Sequence, residues 1–132
     1  AAPFSMTGQP NAMGGREVGG LANMLAAHLD LENLEHQQLV QNFWRSPYIA
    51  KQAGFKAVDL FQAVESGKIK AIWIMATNPV VSLPDADQVK RALDKCEFVV
   101  VSDNCQDTDT NQYADVLLTA IGWGVKDGTV TN

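Results

Sequence analysis

Apolar positions follow clear periods in the second half of the chain and looser ones in the first. Ala57, Leu60, Phe61 and Val64 stand at i, i+3, i+4 and i+7, which predicts a short helix with one buried face, and Gly67 followed by Lys68 is a stop signal. The run from Ile69 to Met75 is compact, apolar and rich in β-branched and aromatic residues, so it predicts a buried strand. Ser82-Leu83-Pro84-Asp85 is expected to open the next helix, with Ser82 as cap, Pro84 in the first turn, and Asp85 and Asp87 at the positive end of the dipole. Lys90, Arg91 and Lys95 load its negative end, and Ala86, Val89 and Leu93 form its core stripe. Phe98 to Val101 predicts a second strand and Val116 to Leu118 a third.

Strand, helix and strand over about 69–102 describe a βαβ unit, whose strands are parallel. The expected fold class is therefore α/β, a Rossmann-like three-layer α/β/α domain with a parallel sheet.

In the first half, five glycines and two prolines within residues 1–20 predict a loop up to about Gly15. Val18, Leu21, Ala22 and Leu25 then suit a helix ending near His28, weakened in its first turn by Gly19 and Gly20. A second helix is expected from about Leu31 to Trp44, with a face of Leu39, Val40, Phe43 and Trp44 that Leu34 does not join. It stops before Ser46-Pro47. His28 and His36 have no ligand-like partner in the pattern and read as solvated or hydrogen-bonded.

The 132 residues suit one domain, and 46% apolar against 19% charged residues is a globular balance. Ten Lys and Arg against fifteen Asp and Glu give −5, without a basic run, which argues against nucleic acid or a polybasic membrane surface as partner. No apolar stretch is long enough for a membrane span, and residues 1–13 lack a basic segment followed by an apolar one, so a cytoplasmic location is expected. Cys96 and Cys105 have neither metal-site nor disulfide spacing, so no metal ligand is assigned.

Parallel sheets hold ligands outside the carboxyl ends of their strands. Those ends read Ala76-Thr77-Asn78-Pro79 and Ser102-Asp103. An amide there can donate to phosphate, and a carboxylate can accept from a sugar or base. Equally, Asn78-Pro79 is a turn sequence and Asp103 suits an Asx cap. No GxGxxG follows either strand, which disfavours an ordinary NAD site.

Several segments together resemble one family. They are Pro3 to Gly19 (PFSMTGQPNAMGGREVG), Trp73 to Pro79 (WIMATNP), Val100 to Asp103 with Thr108 and Thr110, Tyr113 to Leu118 (YADVLL), and Gly122-Trp123-Gly124 with Gly128 to Asn132. In this order they look like the large subunits of molybdopterin guanine dinucleotide-dependent oxidoreductases, and among these like assimilatory nitrate reductases. The resemblance implies a fragment of a larger enzyme. Residues 1–20 would be a Gly-rich active-site loop, 21–55 a helical part and 56–132 the βαβ nucleotide-binding part.

By the same resemblance the parent reduces nitrate to nitrite with molybdenum-bis(molybdopterin guanine dinucleotide). A 4Fe-4S cluster lies elsewhere in that parent, and an electron-donor protein or flavin unit supplies it. Thr77, Asn78 and Pro79 would line the phosphates and ribose of one dinucleotide. Asp103 would accept from guanine or its ribose, and Thr108 would help close the pocket. Arg16 would position nitrate, for which a planar guanidinium is apt; alternatively it pairs on the surface with Glu17 or with a neighbouring domain.

Some positions depart from the family pattern. Ala76 replaces a frequent Gly, Val125 a Glu and Thr119 a Pro, and the loop after Asp103 is long. The isolated chain is expected to be inactive, its remaining domains being the partners it needs. A formate dehydrogenase-type molybdoenzyme and a free-standing nucleotide-binding module are the alternatives.

Overall fold

A computed structural model describes residues 11–129. The described residues fall into two compact units, one of residues 11–54 with 128–129 and the other Phe55–Asp127.

The first unit opens with helix α1 (Ala12–Glu17), inside the stretch expected to be a loop. The helix expected over Val18–His28 is not formed. Gly19 takes φ +79°, its N–H donates to the Arg16 carbonyl at 3.0 Å, and the Gly20 N–H reaches back to Gly15 at 2.7 Å. This is the Schellman arrangement that ends a helix. A Cβ on Gly19 would meet the Ala26 backbone nitrogen at 2.7 Å, so the two glycines stop α1 and do not start another helix. Only a 3-10 turn at Ala26–His28 follows, and of the expected stripe only Leu25 is buried.

Helix α2 (Leu34–Trp44) starts three residues later than expected, because Asn33 caps it by accepting from the N–H groups of Glu35 and His36. Val40 alone of the expected face is buried, together with Leu25 and Leu31. Leu39, Trp44 and Phe43, the last 83% exposed, point outward as Leu34 does. Buried Gln37 is satisfied by donating to the Leu31 carbonyl at 2.8 Å. His36 Nδ1 accepts from the Asp30 N–H at 3.0 Å, the hydrogen-bonded role its sequence context gave it.

The second unit runs α3 (Ala57–Glu65), β1 (Ala71–Met75), the one-turn α4 (Pro79–Ser82), α5 (Ala86–Lys95), β2 (Phe98–Asp103) and β3 (Val116–Thr119). Gly67, at φ +75°, closes α3 with the same Schellman pair that closes α1. The cap expected at Ser82 is a correction: Ser82 ends α4, and Asp85 caps α5 by accepting from the Gln88 N–H at 2.9 Å. Pro79 sets off the extra turn at its first position, which shifts the next helix start past Pro84.

The sheet has order β1-β2-β3 and is parallel throughout, with Met75 opposite Ser102 and Asp103 opposite Thr119. Ile72, Ile74, Val99, Val101 and Leu117 share the face that α3 and α5 cover, packed with Phe61, Val64, Val89 and Leu93. Burying each of these side chains stabilises the unit by roughly 1.5–3 kcal/mol. The α/β class with a βαβ unit is as expected. Among the described residues of this unit the helices lie on one face, since α3 and α5 pack on it and the turn between β2 and β3 also packs on α5. The opposite face carries Trp73 (58% exposed), Met75, Phe98 and Leu118 uncovered, so the outer layer of a three-layer arrangement is not supplied by the described residues.

Candidate functional site

β1 ends at Met75, and the Ala76 N–H carries the ladder one step further by donating to the Ser102 carbonyl at 2.9 Å. The chain then turns sharply at Ala76, whose φ is +54°, in the left-handed region. Thr77 is exposed, Asn78 half-buried and Pro79 buried. The Asn78 carbonyl accepts from the N–H groups of Val81 (3.0 Å) and Ser82 (2.9 Å), which fixes the turn that α4 begins.

Thr110 ties this turn to the loop after β2. It is fully buried, its Oγ1 accepts from the Val80 N–H at 3.2 Å, and its hydroxyl donates to Asn78 Oδ1 at 2.6 Å. Thr108, the residue expected to help close the pocket, is half-buried, and its Oγ1 accepts from the Asn111 N–H at 3.2 Å. Of the two threonines in the Thr-x-Thr step, the buried one reaches the neighbouring strand end. Spacing marks both alike; only the packing of α4 separates them.

At the end of β2 the Asp103 carbonyl accepts from the Ala120 N–H at 2.9 Å, continuing the ladder to β3. Its Oδ1 accepts from the Cys105 N–H at 3.0 Å, an Asx turn. Asn111 Nδ2 donates to the carbonyls of Cys105 (2.7 Å) and Gln106 (3.3 Å), so the long loop after Asp103 is clamped. Thr77, Asn78, Pro79, Asp103 and Thr108 thus all lie at the carboxyl ends of two adjacent parallel strands or in the loops that leave them. A cleft of about 320 Å³ extends from Thr77 and Pro79 along β1, lined by Leu60, Phe61, Trp73 and Met75 among others.

Polar groups at these strand ends are left over from the protein's own hydrogen bonds. Asn78 has two amide N–H donors, and among the described residues nothing accepts from them. Asp103 keeps Oδ2 beyond the oxygen its own turn uses. Ser102 Oγ accepts from Trp73 Nε1 at 2.9 Å, on the uncovered sheet face.

Arg16 lies in the first unit, exposed, in the last turn of α1, and not on an open loop. Residues 1–10 of the stretch read as an active-site loop lie outside the described residues. Cys96 and Cys105 are free thiols. No three His, Cys, Asp or Glu converge as a metal-binding group among the described residues, and no helix among them is long and apolar enough to cross a membrane.

Comparison with known proteins supplies the context for these residues. The molybdopterin oxidoreductase family matches the chain over residues 5–132. The chain is 60% identical over 129 residues to a nitrate reductase of Shewanella frigidimarina, covering 98% of this chain and 14% of that protein. It is 55% identical over 130 residues to a nitrate reductase of Klebsiella oxytoca, covering 98% and 15% respectively. To the F420-dependent formate dehydrogenase subunit alpha of Methanocaldococcus jannaschii it is 36% identical over 128 residues, covering 96% and 18%. The chain therefore spans less than a fifth of the length of each of these relatives.

Proposed function

The chain belongs to the molybdopterin oxidoreductase family, and from that premise we propose that it is the nucleotide-binding part of a molybdenum nitrate reductase that acts in nitrate assimilation in the cytoplasm. In this reading the carboxyl ends of β1 and β2 hold the guanosine diphosphate arm of one molybdopterin guanine dinucleotide. Bound, that group supplies the two-electron chemistry that takes nitrate to nitrite, with electrons delivered through a 4Fe-4S cluster elsewhere in the parent.

The residues of this chain bind and orient. Asn78 donates its amide to a phosphate or ribose oxygen, the Thr77 hydroxyl hydrogen-bonds beside it, and Pro79 fixes the turn that presents both. Asp103 accepts from guanine or ribose through the oxygen its Asx turn leaves available, and Thr108 holds the loop that borders the pocket. Arg16 takes nitrate through two parallel N–H donors, a geometry that a planar guanidinium offers and an ammonium does not. The net charge of −5 makes such local grips necessary, since the domain's long-range field repels anions. The remaining domains of the polypeptide and an electron-donor protein or flavin unit are the partners.

The observation that carries the choice of nitrate is the 60% and 55% identity to two nitrate reductases, each over 98% of this chain. The nucleotide reading is tested by titrating the 132-residue chain with GDP and with ADP while following its amide signals. Shifts at Thr77, Asn78, Asp103 and Thr108 with GDP, reduced in Asp103→Ala, support it. Equal shifts with ADP, or shifts confined to the helix around Lys90, sink it. The isolated chain, given nitrate and reduced methyl viologen, is expected to form no nitrite. In the complete enzyme Arg16→Gln is expected to raise KM for nitrate more than it lowers kcat.

A further inference from the structure

Thr110 belongs to no part of the site assigned from the sequence, yet it is the fully buried polar side chain that joins the two strand-end loops. A hydroxyl has one proton. One lone pair of Thr110 Oγ1 is engaged by the Val80 N–H, and the proton goes to Asn78 Oδ1 at 2.6 Å. The carbonyl half of the Asn78 amide is therefore occupied inside the protein. Its NH2 half has no acceptor among the described residues, and Asn78 is half-exposed.

We propose that Thr110 is the positioning residue of this site: by holding Asn78 Oδ1 it fixes the side-chain amide as a hydrogen-bond donor toward the ligand. The ligand atom Asn78 meets is then an acceptor, an oxygen of a phosphate, a ribose or a base carbonyl, and never a hydroxyl or amine acting as donor. The inference rests on the nucleotide reading above and narrows it. A free asparagine amide can rotate end for end and meet donor or acceptor alike. Pinned by a buried hydroxyl that is itself oriented by the Val80 N–H, it presents one polarity only, which is the preorganisation a weakly charged site needs to hold an anion.

The test uses the 132-residue chain with GDP, inorganic pyrophosphate and guanosine as separate probes, followed through the side-chain nitrogen–proton signals of Asn78. In the absence of any probe, Thr110→Val is expected to shift and broaden those signals, and Thr110→Ser to leave them near the wild-type position. With millimolar GDP, Thr110→Val and Asn78→Asp are each expected to weaken binding about tenfold, the effect of losing one hydrogen bond to a charged group. Thr110→Ser is expected to stay within about twofold, because it keeps the hydroxyl. Asn78→Asp still accepts from Thr110 and so leaves the fold intact, which keeps the test decisive if Thr110→Val unfolds.

A response of Asn78 to pyrophosphate assigns the acceptor to phosphate, and a response to guanosine alone assigns it to an oxygen of the nucleoside; either supports the proposal. Ligand-free Asn78 signals identical in wild type and Thr110→Val overturn the positioning role. GDP affinity unchanged in Asn78→Asp overturns the donor polarity. Absence of any GDP response in the wild type instead overturns the nucleotide reading on which the polarity depends.

Discussion

Asp115 and Val99 exchange two hydrogen bonds across the sheet. The Asp115 N–H donates to the Val99 carbonyl at 2.9 Å, and Asp115 Oδ2 accepts from the Val99 N–H at 2.7 Å. The residue just before β3 thus satisfies both backbone groups of a strand residue that is 1% exposed, and it seats β3 in register beside β2. This gives the Ala-Asp-Val-Leu-Leu segment its physical sense: a carboxylate stands where the ladder has no backbone acceptor to offer.

Asp115→Ala leaves the Val99 N–H buried without an acceptor and is expected to lower the unfolding free energy of the chain by about 1–3 kcal/mol. Asp115→Asn keeps a side-chain oxygen and is expected to lose less than half of that. Urea midpoints at constant m-value check both; equal midpoints for wild type and Asp115→Ala would show that water replaces the carboxylate.

Ala76 turns the chain out of β1 at φ +54°. A left-handed alanine costs roughly 1–2 kcal/mol, whereas glycine adds roughly 0.5–1 kcal/mol of chain entropy to be lost on folding. The first outweighs the second, so Ala76→Gly is expected to stabilise by about 0.5–1 kcal/mol. The same change at Ala71, inside β1, has no strain to relieve and is expected to destabilise. Thermal unfolding of the pair decides the point: if both lower Tm, the turn at Ala76 carries no strain.

Glu65 on α3 accepts from Arg91 Nε on α5 at 3.0 Å, with Lys95 Nζ at 3.9 Å. The Arg91 hydrogen bond, opposed by some desolvation and helped by Gln88 and by the charges of Arg91 and Lys95, holds the Glu65 carboxyl below the usual glutamate range. A group whose folded-state pKa is depressed contributes stability that is complete above its unfolded pKa and lost as pH falls through the folded value. Stability should therefore drop on acidification below about pH 4.5. Glu65→Gln should flatten that part of the profile, and salt should shrink the difference. The effect is small because the pair is solvent-exposed. Unfolding midpoints followed over the acid range in wild type and Glu65→Gln measure it; parallel profiles would remove Glu65 as a source.

Much of the second unit was legible from residue types alone. The apolar runs at 71–75 and 98–101 had no competing period, and the helical stripes of α3 and α5 each had one apolar face. What failed to read were contests between near-equal signals. Ser82 and Asp85 both suit a cap, and Pro79, by opening a turn of its own, decided for Asp85. Gly19 and Gly20 look like a weak helix start but are the end of α1, a distinction that depends on bonds to Gly15 and Arg16. At the strand ends the sequence named Asn78 and Asp103, whereas the role of Thr110 depends on burial beneath α4, which no spacing encodes.

The exposed face of α2 gives the last prediction. Leu39 and Phe43 are largely exposed, and with Val18, Ala26, Leu29 and Trp44 they border an apolar groove of about 450 Å³. Contiguous apolar surface of this kind drives association. The 132-residue chain is expected to sediment faster as its concentration rises, and Leu39→Gln with Phe43→Gln is expected to abolish that dependence. Because both side chains already face solvent, the double variant should change unfolding free energy by no more than about 0.5 kcal/mol. α2 stays seated by Val40 and by the buried Gln37, which holds the Leu31 carbonyl. Sedimentation that remains concentration-dependent in the double variant would move the associating surface away from α2, to the uncovered sheet face around Trp73, Met75 and Phe98, where Trp73→Gln is the corresponding test.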